Sequence, residues 1–191
     1  MSGIRLYGKG LKVILLALVF LIAGCGYTTR SLIANRFKTI YVKPFENKID
    51  ITSDVDSASK YKISKPMIET DVTRVVVNKF LMDGNLKPLR EESADLVLKG
   101  EVVEFRQDPL RYTDNDNDVE EYRLNIIVNL SMWDNKNNKL LWEEKNFTGY
   151  YDYFTTYAVS SAVTKKTVDE ATPEAINDLA RRIVERTVEE W

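Results

Sequence analysis

The chain has no histidine and only one cysteine among its 191 residues. Without imidazole there is no Ser-His-Asp or Cys-His nucleophile, no histidine metal ligand and no histidine general base. A lone cysteine excludes an intramolecular disulfide, so a folded domain must be held by its apolar core. A formal net charge of −2 leaves no basic footprint, and nucleic acid is not an expected partner. No internal repeat or low-complexity tract interrupts the sequence. Catalysis would fall to carboxylates, lysines and tyrosines, and none sits in a spacing that demands chemistry, so the chain reads as a non-enzyme.

What is present is a globular composition, 44% hydrophobic and 29% charged, behind a distinctive N-terminus. Arg5, Lys9 and Lys12 precede the apolar run 13–22, a charged region followed by a hydrophobic one, as in an export signal. The run is about half the roughly 20 apolar residues that a spanning helix needs. Small Ala23 and Gly24 then lead into Cys25.

The small pair before a cysteine resembles the lipobox of bacterial lipoproteins. The resemblance implies cleavage ahead of Cys25 and lipidation of its thiol and new amino group, with more than one acyl chain as stable anchoring requires. The alternative is an ordinary signal with a chance cysteine near its end. Gly26 stands where an inner-membrane lipoprotein usually has Asp, so the resemblance implies outer-membrane sorting. The expected organisation is a signal peptide at 1–24, a lipidated tether at 25–35 and one domain at 36–191. The lipid on Cys25 is the only non-protein group expected; no cofactor and no metal site are.

In the mature chain, residues 37–45 alternate with Ile40 and Val42 on one face, a strand that Pro44 should end or hold at an edge. Residues 46–62 are polar and aperiodic, a loop. Ser64 is a candidate helix cap with Pro66 in the first turn. Ile68, Val72, Val75, Val76 and Phe80 recur at helical spacing, and Gly84 supplies the stop. Residues 86–89 suggest a short strand and 94–105 a longer one. In the longer strand Leu96 and Leu98 differ in parity from Val103 and Phe105. A bulge at Gly100 would restore one apolar face; otherwise the strand is buried on both sides.

From Tyr122 to Met132 the alternation is nearly unbroken, with a core face and a mostly wet face. Residues 134–139 form a turn, and the strand that returns from Leu140 should run out near Phe154. Thr172 is a candidate cap for a last helix, with Pro173 at its first position. The stripe of that helix runs from Ile176 to Trp191. The order gives an α+β two-layer sandwich, a mixed and mostly antiparallel β-sheet with two helices on one face.

Three groups of residues invite functional readings. Asp114, Asp116 and Asp118 alternate like the start of a calcium loop. However, Val119 stands where the sharp turn needs glycine and Asn125 where a bidentate glutamate belongs, so a polar hairpin turn is the expectation. The tyrosine run that contains Tyr151 and Tyr153 is either a contact surface or a half-buried strand whose alternate rings fill the core. Arg106, Arg111 and Arg123 present either guanidinium forks for phosphate or solvated surface charges.

Cys25-Gly26-Tyr27, the stretch Ile40 to Asn47, the stretch Ala94 to Gly100, Leu140-Leu141-Trp142 after a turn, and a final amphipathic helix together resemble the LPS-assembly lipoprotein family, LptE. The resemblance implies a non-enzymatic outer-membrane lipoprotein that faces the periplasm or sits in a barrel lumen. Its partners would be an LptD-type outer-membrane β-barrel protein, which it plugs and helps to mature, and lipopolysaccharide, which the pair delivers to the outer leaflet. Lipoproteins that activate a peptidoglycan synthase share the Pro-Phe-x-Asn strand end and are the second reading. They usually carry a long Pro-rich linker after the cysteine, which this chain lacks.

Overall fold

The computed structural model describes residues 36–50, 61–114 and 118–189. Cys25, the tether at 25–35, Asp116 and Trp191 lie outside the described residues, as does most of the 46–62 segment.

Three long strands in meander order form the body of the sheet: β4 at Leu96–Tyr112, β5 at Val119–Asp134 and β6 at Lys139–Phe154. Ahead of them come β1 at Thr39–Val42, β2 at Glu46–Asn47, helix α1 at Ile68–Asp83 and β3 at Lys87–Pro88. Helix α2, Val168–Glu189, closes the chain. The sheet order is β3-β1-β4-β5-β6, with β2 also on β4. Strands β1 to β3 join in parallel and the meander is antiparallel. This is the expected two-layer α+β architecture with a mixed sheet.

Register explains the core. Ile40 pairs with Leu96 and Val42 with Leu98, and Leu98 pairs with Met132, Val102 with Val128 and Phe105 with Ile126. These residues are all buried, and with Val72, Val76 and Phe80 of α1 and Ile176, Leu179 and Ile183 of α2 they make one cluster. Pro88, lacking an amide hydrogen, sits on the edge strand β3, where no ladder bond is lost.

Five local expectations need correction. The bulge that returns Phe105 to the core face lies between Val102 and Glu104, opposite Val128 and Ile127, and not at Gly100. Gly100 instead stays in register with Leu130, because the Phe45 ring packs where its side chain would stand. Helix α1 starts at Ile68 rather than at Ser64. The amide of Ile63 is tied to the Phe105 carbonyl, the residue before Pro66 is biased to extended backbone, and Met67 turns the chain at φ 60°.

Helix α2 starts at Val168 rather than at Thr172. Thr167 and Glu170 form a reciprocal cap: the Thr167 amide and hydroxyl donate to the Glu170 carboxylate, and the Glu170 amide donates back to the hydroxyl. Thr172 is inside the helix, its hydroxyl donating to the Val168 carbonyl. Finally, the 46–62 segment is more than loop, since β2 pairs with Glu101 and Val102, and Lys62 bridges Arg106. The strand read at 94–105 likewise runs on to Tyr112, which pairs with Val119. The stop at Gly84 holds, at φ 79° with its amide on the Phe80 carbonyl.

Candidate partner-facing surface

The two helices cover one face of the sheet. The other face carries the opposite parity of each strand, and the register brings its residues into rows. One row is Arg106, Asn125 and Tyr150; the next is Asp108, Arg123 and Asp152; a third is Arg111, Glu121 and Phe154. All three arginines singled out in the sequence therefore lie together on this outer face.

Each arginine is paired with an acid. Arg123 donates from Nε and Nη2 to the two carboxylate oxygens of Asp152 at 2.7 and 2.8 Å. Asp152 raises the guanidinium pKa above its ordinary value, burial opposing. Arg106 donates to Asp108 at 2.9 Å and reaches Glu104 at 3.5 Å, while Asn125, buried, donates to the same Asp108 oxygen at 2.8 Å. Arg111 pairs with Glu121 at 3.4 Å and lies 5.8 Å over the Phe154 ring.

The ring of Tyr150 has the guanidinium of Arg123 at 4.4 Å and that of Arg182, from α2, at 4.8 Å. The Tyr150 amide, on the open edge of β6, donates to Asp178 of the same helix. That contact blunts an edge that would otherwise offer unpaired amides. An anion that approached this face would have to displace carboxylates already held in charge-assisted bonds. A polar partner need not, because the face is highly charged and internally neutralised.

Tyr151 and Tyr153 do not join the arginines, since their parity places them on the helix-covered face. Tyr153 pairs with Tyr122 and stacks on it with ring centroids 6.1 Å apart, and its hydroxyl accepts from Gln107 at 2.8 Å. It is buried, and burial first, then the nearby Tyr122 phenol, pushes its pKa up to about 12. Tyr151 packs at the core margin and its hydroxyl accepts from Lys166 at 3.1 Å. In the tyrosine run, Tyr153 thus lies in the core and Tyr151 at its margin.

Sequence reasoning missed a second feature of the outer face. Trp133, one residue beyond the expected end of its strand, sits between Val97 and Leu140 across the sheet, with the Lys99 ammonium 4.6 Å from its ring. Trp133, Lys99 and Leu140, together with Lys43, Ser131 and Glu143, line a shallow cavity of about 320 Å³. The signal was available, because Trp133 continues the parity of Ser131 and Asn129.

The chain was compared with known proteins. A family model described as LptE, lipopolysaccharide-assembly, matches residues 37–187. A search of curated protein sequences finds no match. Among solved structures, the PelC dodecamer from Paraburkholderia phytofirmans is similar at 13% identity and a TM-score of 0.46, covering 85% of this chain and 96% of its own. The rare lipoprotein B from Shewanella oneidensis is similar at 15% identity and 0.42, covering 79% and 97%. Lipoprotein B from Nitrosomonas europaea is similar at 12% and 0.39, covering 85% and 93%. None of these structural likenesses is close enough to bear on function. The family match extends over nearly the whole described domain, and the chain belongs to the lipopolysaccharide-assembly family LptE.

Proposed function

We propose that this chain, a member of a non-enzymatic lipopolysaccharide-assembly lipoprotein family, is held at the outer membrane by lipid on Cys25 and acts as the partner of an LptD-type β-barrel. In this reading it plugs the barrel lumen, helps the barrel to assemble, and takes part in delivering lipopolysaccharide to the outer leaflet.

The observation that supports the barrel partner is the neutralised outer face. A plug must remain soluble before insertion and then lie against a lumen that is itself polar. Bare arginines would be costly to enclose, whereas arginines already paired with Asp108, Glu121 and Asp152 enter with their charges matched.

Depletion of the protein is the test. Correctly assembled barrel should fall, permeability to large hydrophobic antibiotics should rise, and a photocrosslinker at position 123 should capture the barrel. Intact barrel levels with weakened peptidoglycan synthesis would instead select the synthase-activator reading.

A further inference from the structure

The far end of the meander, where β4 turns into β5 and β6 leaves the sheet, is built differently from the rest of the surface. Leu110 and Tyr112 are each 45% exposed, Tyr157 is 57% and Val159 is 79% exposed. They are neighbours. Tyr112 pairs with Val119, and Thr155 donates its amide to the Glu120 carbonyl and its hydroxyl to the Val119 carbonyl at 2.7 Å. The Val159 amide donates to the Glu120 carboxylate at 3.1 Å. Burial and then the phenols of Tyr112, Tyr61 and Tyr157 raise the Tyr122 pKa, as four tyrosines in one neighbourhood should. Exposed apolar groups gathered this way mark an interaction site more often than singly scattered ones do.

The charge of this end is predominantly acidic, with the Lys165 ammonium on the Thr156 carbonyl beside Tyr157 at 3.3 Å. Arg111 is matched by Glu121, but among the described residues no lysine or arginine lies within 4 Å of Asp114, Asp118 or Glu120. The pattern is the reverse of the neutralised face beside it. Tyrosines give large rigid area with a polar tip, and they are enriched at protein contacts. The acids disfavour a lipid surface, whose anionic headgroups would repel them. They also disfavour a second copy, since a two-fold contact would set acid against acid.

We propose that the patch formed by Tyr112, Asp118, Glu120, Tyr157 and Val159 docks into a pocket rimmed by lysine or arginine on a partner protein. The partner's identity rests on the barrel reading above: the pocket belongs to the LptD-type barrel.

The test uses the full lipidated chain and the barrel protein in detergent, with affinity measured across a series of sodium chloride concentrations. Asp118→Lys with Glu120→Lys should weaken binding about tenfold or more and flatten its salt dependence. Tyr112→Ser with Tyr157→Ser should weaken binding while keeping the salt slope. Thermal unfolding should be unchanged in the tyrosine pair and change little in the lysine pair, because none of these side chains enters the core and only the exposed bond from the Val159 amide to Glu120 is lost.

Wild-type affinity in both variants would overturn the tip inference and leave the barrel reading standing. So would co-sedimentation with phosphatidylethanolamine and phosphatidylglycerol vesicles that the tyrosine pair abolishes while barrel binding persists. If the wild-type chain fails to bind the barrel at any salt concentration, both readings fall together.

Discussion

The ring of Phe45 occupies the space in which a side chain at Gly100 would begin. Phe45 is buried on the loop after β1, and the contact closes that loop over β4. A methyl group at position 100 has to push the ring out of a packed core, which typically costs about 1–3 kcal/mol. Gly100→Ala should therefore lower the urea midpoint without changing the slope. In a Phe45→Ala background the same substitution should cost much less, and equal costs in both backgrounds would show that the ring is not what position 100 accommodates.

Asp95 fastens the start of β1 to the sheet and to the β5–β6 turn. Its carboxylate accepts from the Lys136 ammonium, from the amides of Lys38 and Thr39, and from the Thr39 hydroxyl. The Lys136 bond first and the Lys38 amide next hold its pKa well below the usual carboxylate range. A depressed folded-state value stabilises the protein above the unfolded pKa, about 3.9, and that contribution fades as pH falls toward the folded value. Asp95→Asn should destabilise at pH 7 by about 1–3 kcal/mol. The gap to wild type should narrow below about pH 4, because the wild type then loses what the variant already lacks. A gap of constant size down to pH 2 would contradict this account.

Much of this fold was legible because it rests on local repetition. The alternation through Leu124, Ile126, Val128, Leu130 and Met132 and the stripe Ile68, Val72, Val76 and Phe80 each identify a buried face without knowledge of the partner. What was not legible depends on contacts between distant residues. The bulge is displaced to Val103 because Phe45 claims Gly100, and β2 exists only because Val102 is there to pair with it. The arginines were visible in the sequence, but their neutralisation was not. Asp152 is 29 residues from Arg123, and only the register places them side by side.

The start of α2 was a different kind of miss, since Thr167 and Glu170 already have the capping-box spacing and Thr172-Pro173 competed with them. The competition can be read out directly. Thr167→Ala should cost about 1 kcal/mol, the usual value of a lost cap. Ser64→Ala, at the other expected cap, should change stability by less than about 0.5 kcal/mol, because α1 begins at Ile68 with no side-chain cap. Chemical denaturation of the two variants measures both. A larger loss at Ser64 would restore the earlier start of α1.

Tyr153 gives a prediction at high pH. Its pKa is pushed up to about 12 in the folded protein, against about 10 for an unfolded tyrosine. Between those values the unfolded chain has released the proton and the folded one has not, so stability present below pH 10 is lost as pH rises toward 12. Tyr153→Phe should flatten this alkaline loss, and one phenol should disappear from the late phase of an ultraviolet titration. A titration of the wild type complete by about pH 10.5 would place the ring in water rather than in the core.

The pair Arg123–Asp152 separates two roles that a single substitution would confuse. If Arg123 served an external phosphate, its carboxylate neighbour would be incidental, and reversing both charges would remove function as thoroughly as deleting the arginine. If the pair instead neutralises the outer face, what matters is that the two charges match, not which strand carries which. Arg123→Asp alone or Asp152→Arg alone should set like charges together across two strands at 2.7 Å contact distance, destabilising the sheet by about 0.2–1 kcal/mol. On the proposed barrel reading, both single variants should also reduce the recovery of barrel complex, since an unmatched charge would then be carried into the lumen. The double reversal should recover the melting temperature and most of the complex. It should recover less of the stacking on Tyr150, because an arginine at position 152 is displaced from the ring that Arg123 covers at 4.4 Å. Recovery of stability without any recovery of complex would mean that Arg123 meets a partner group that requires a cation at that position, and the matched-charge account of the face would be wrong.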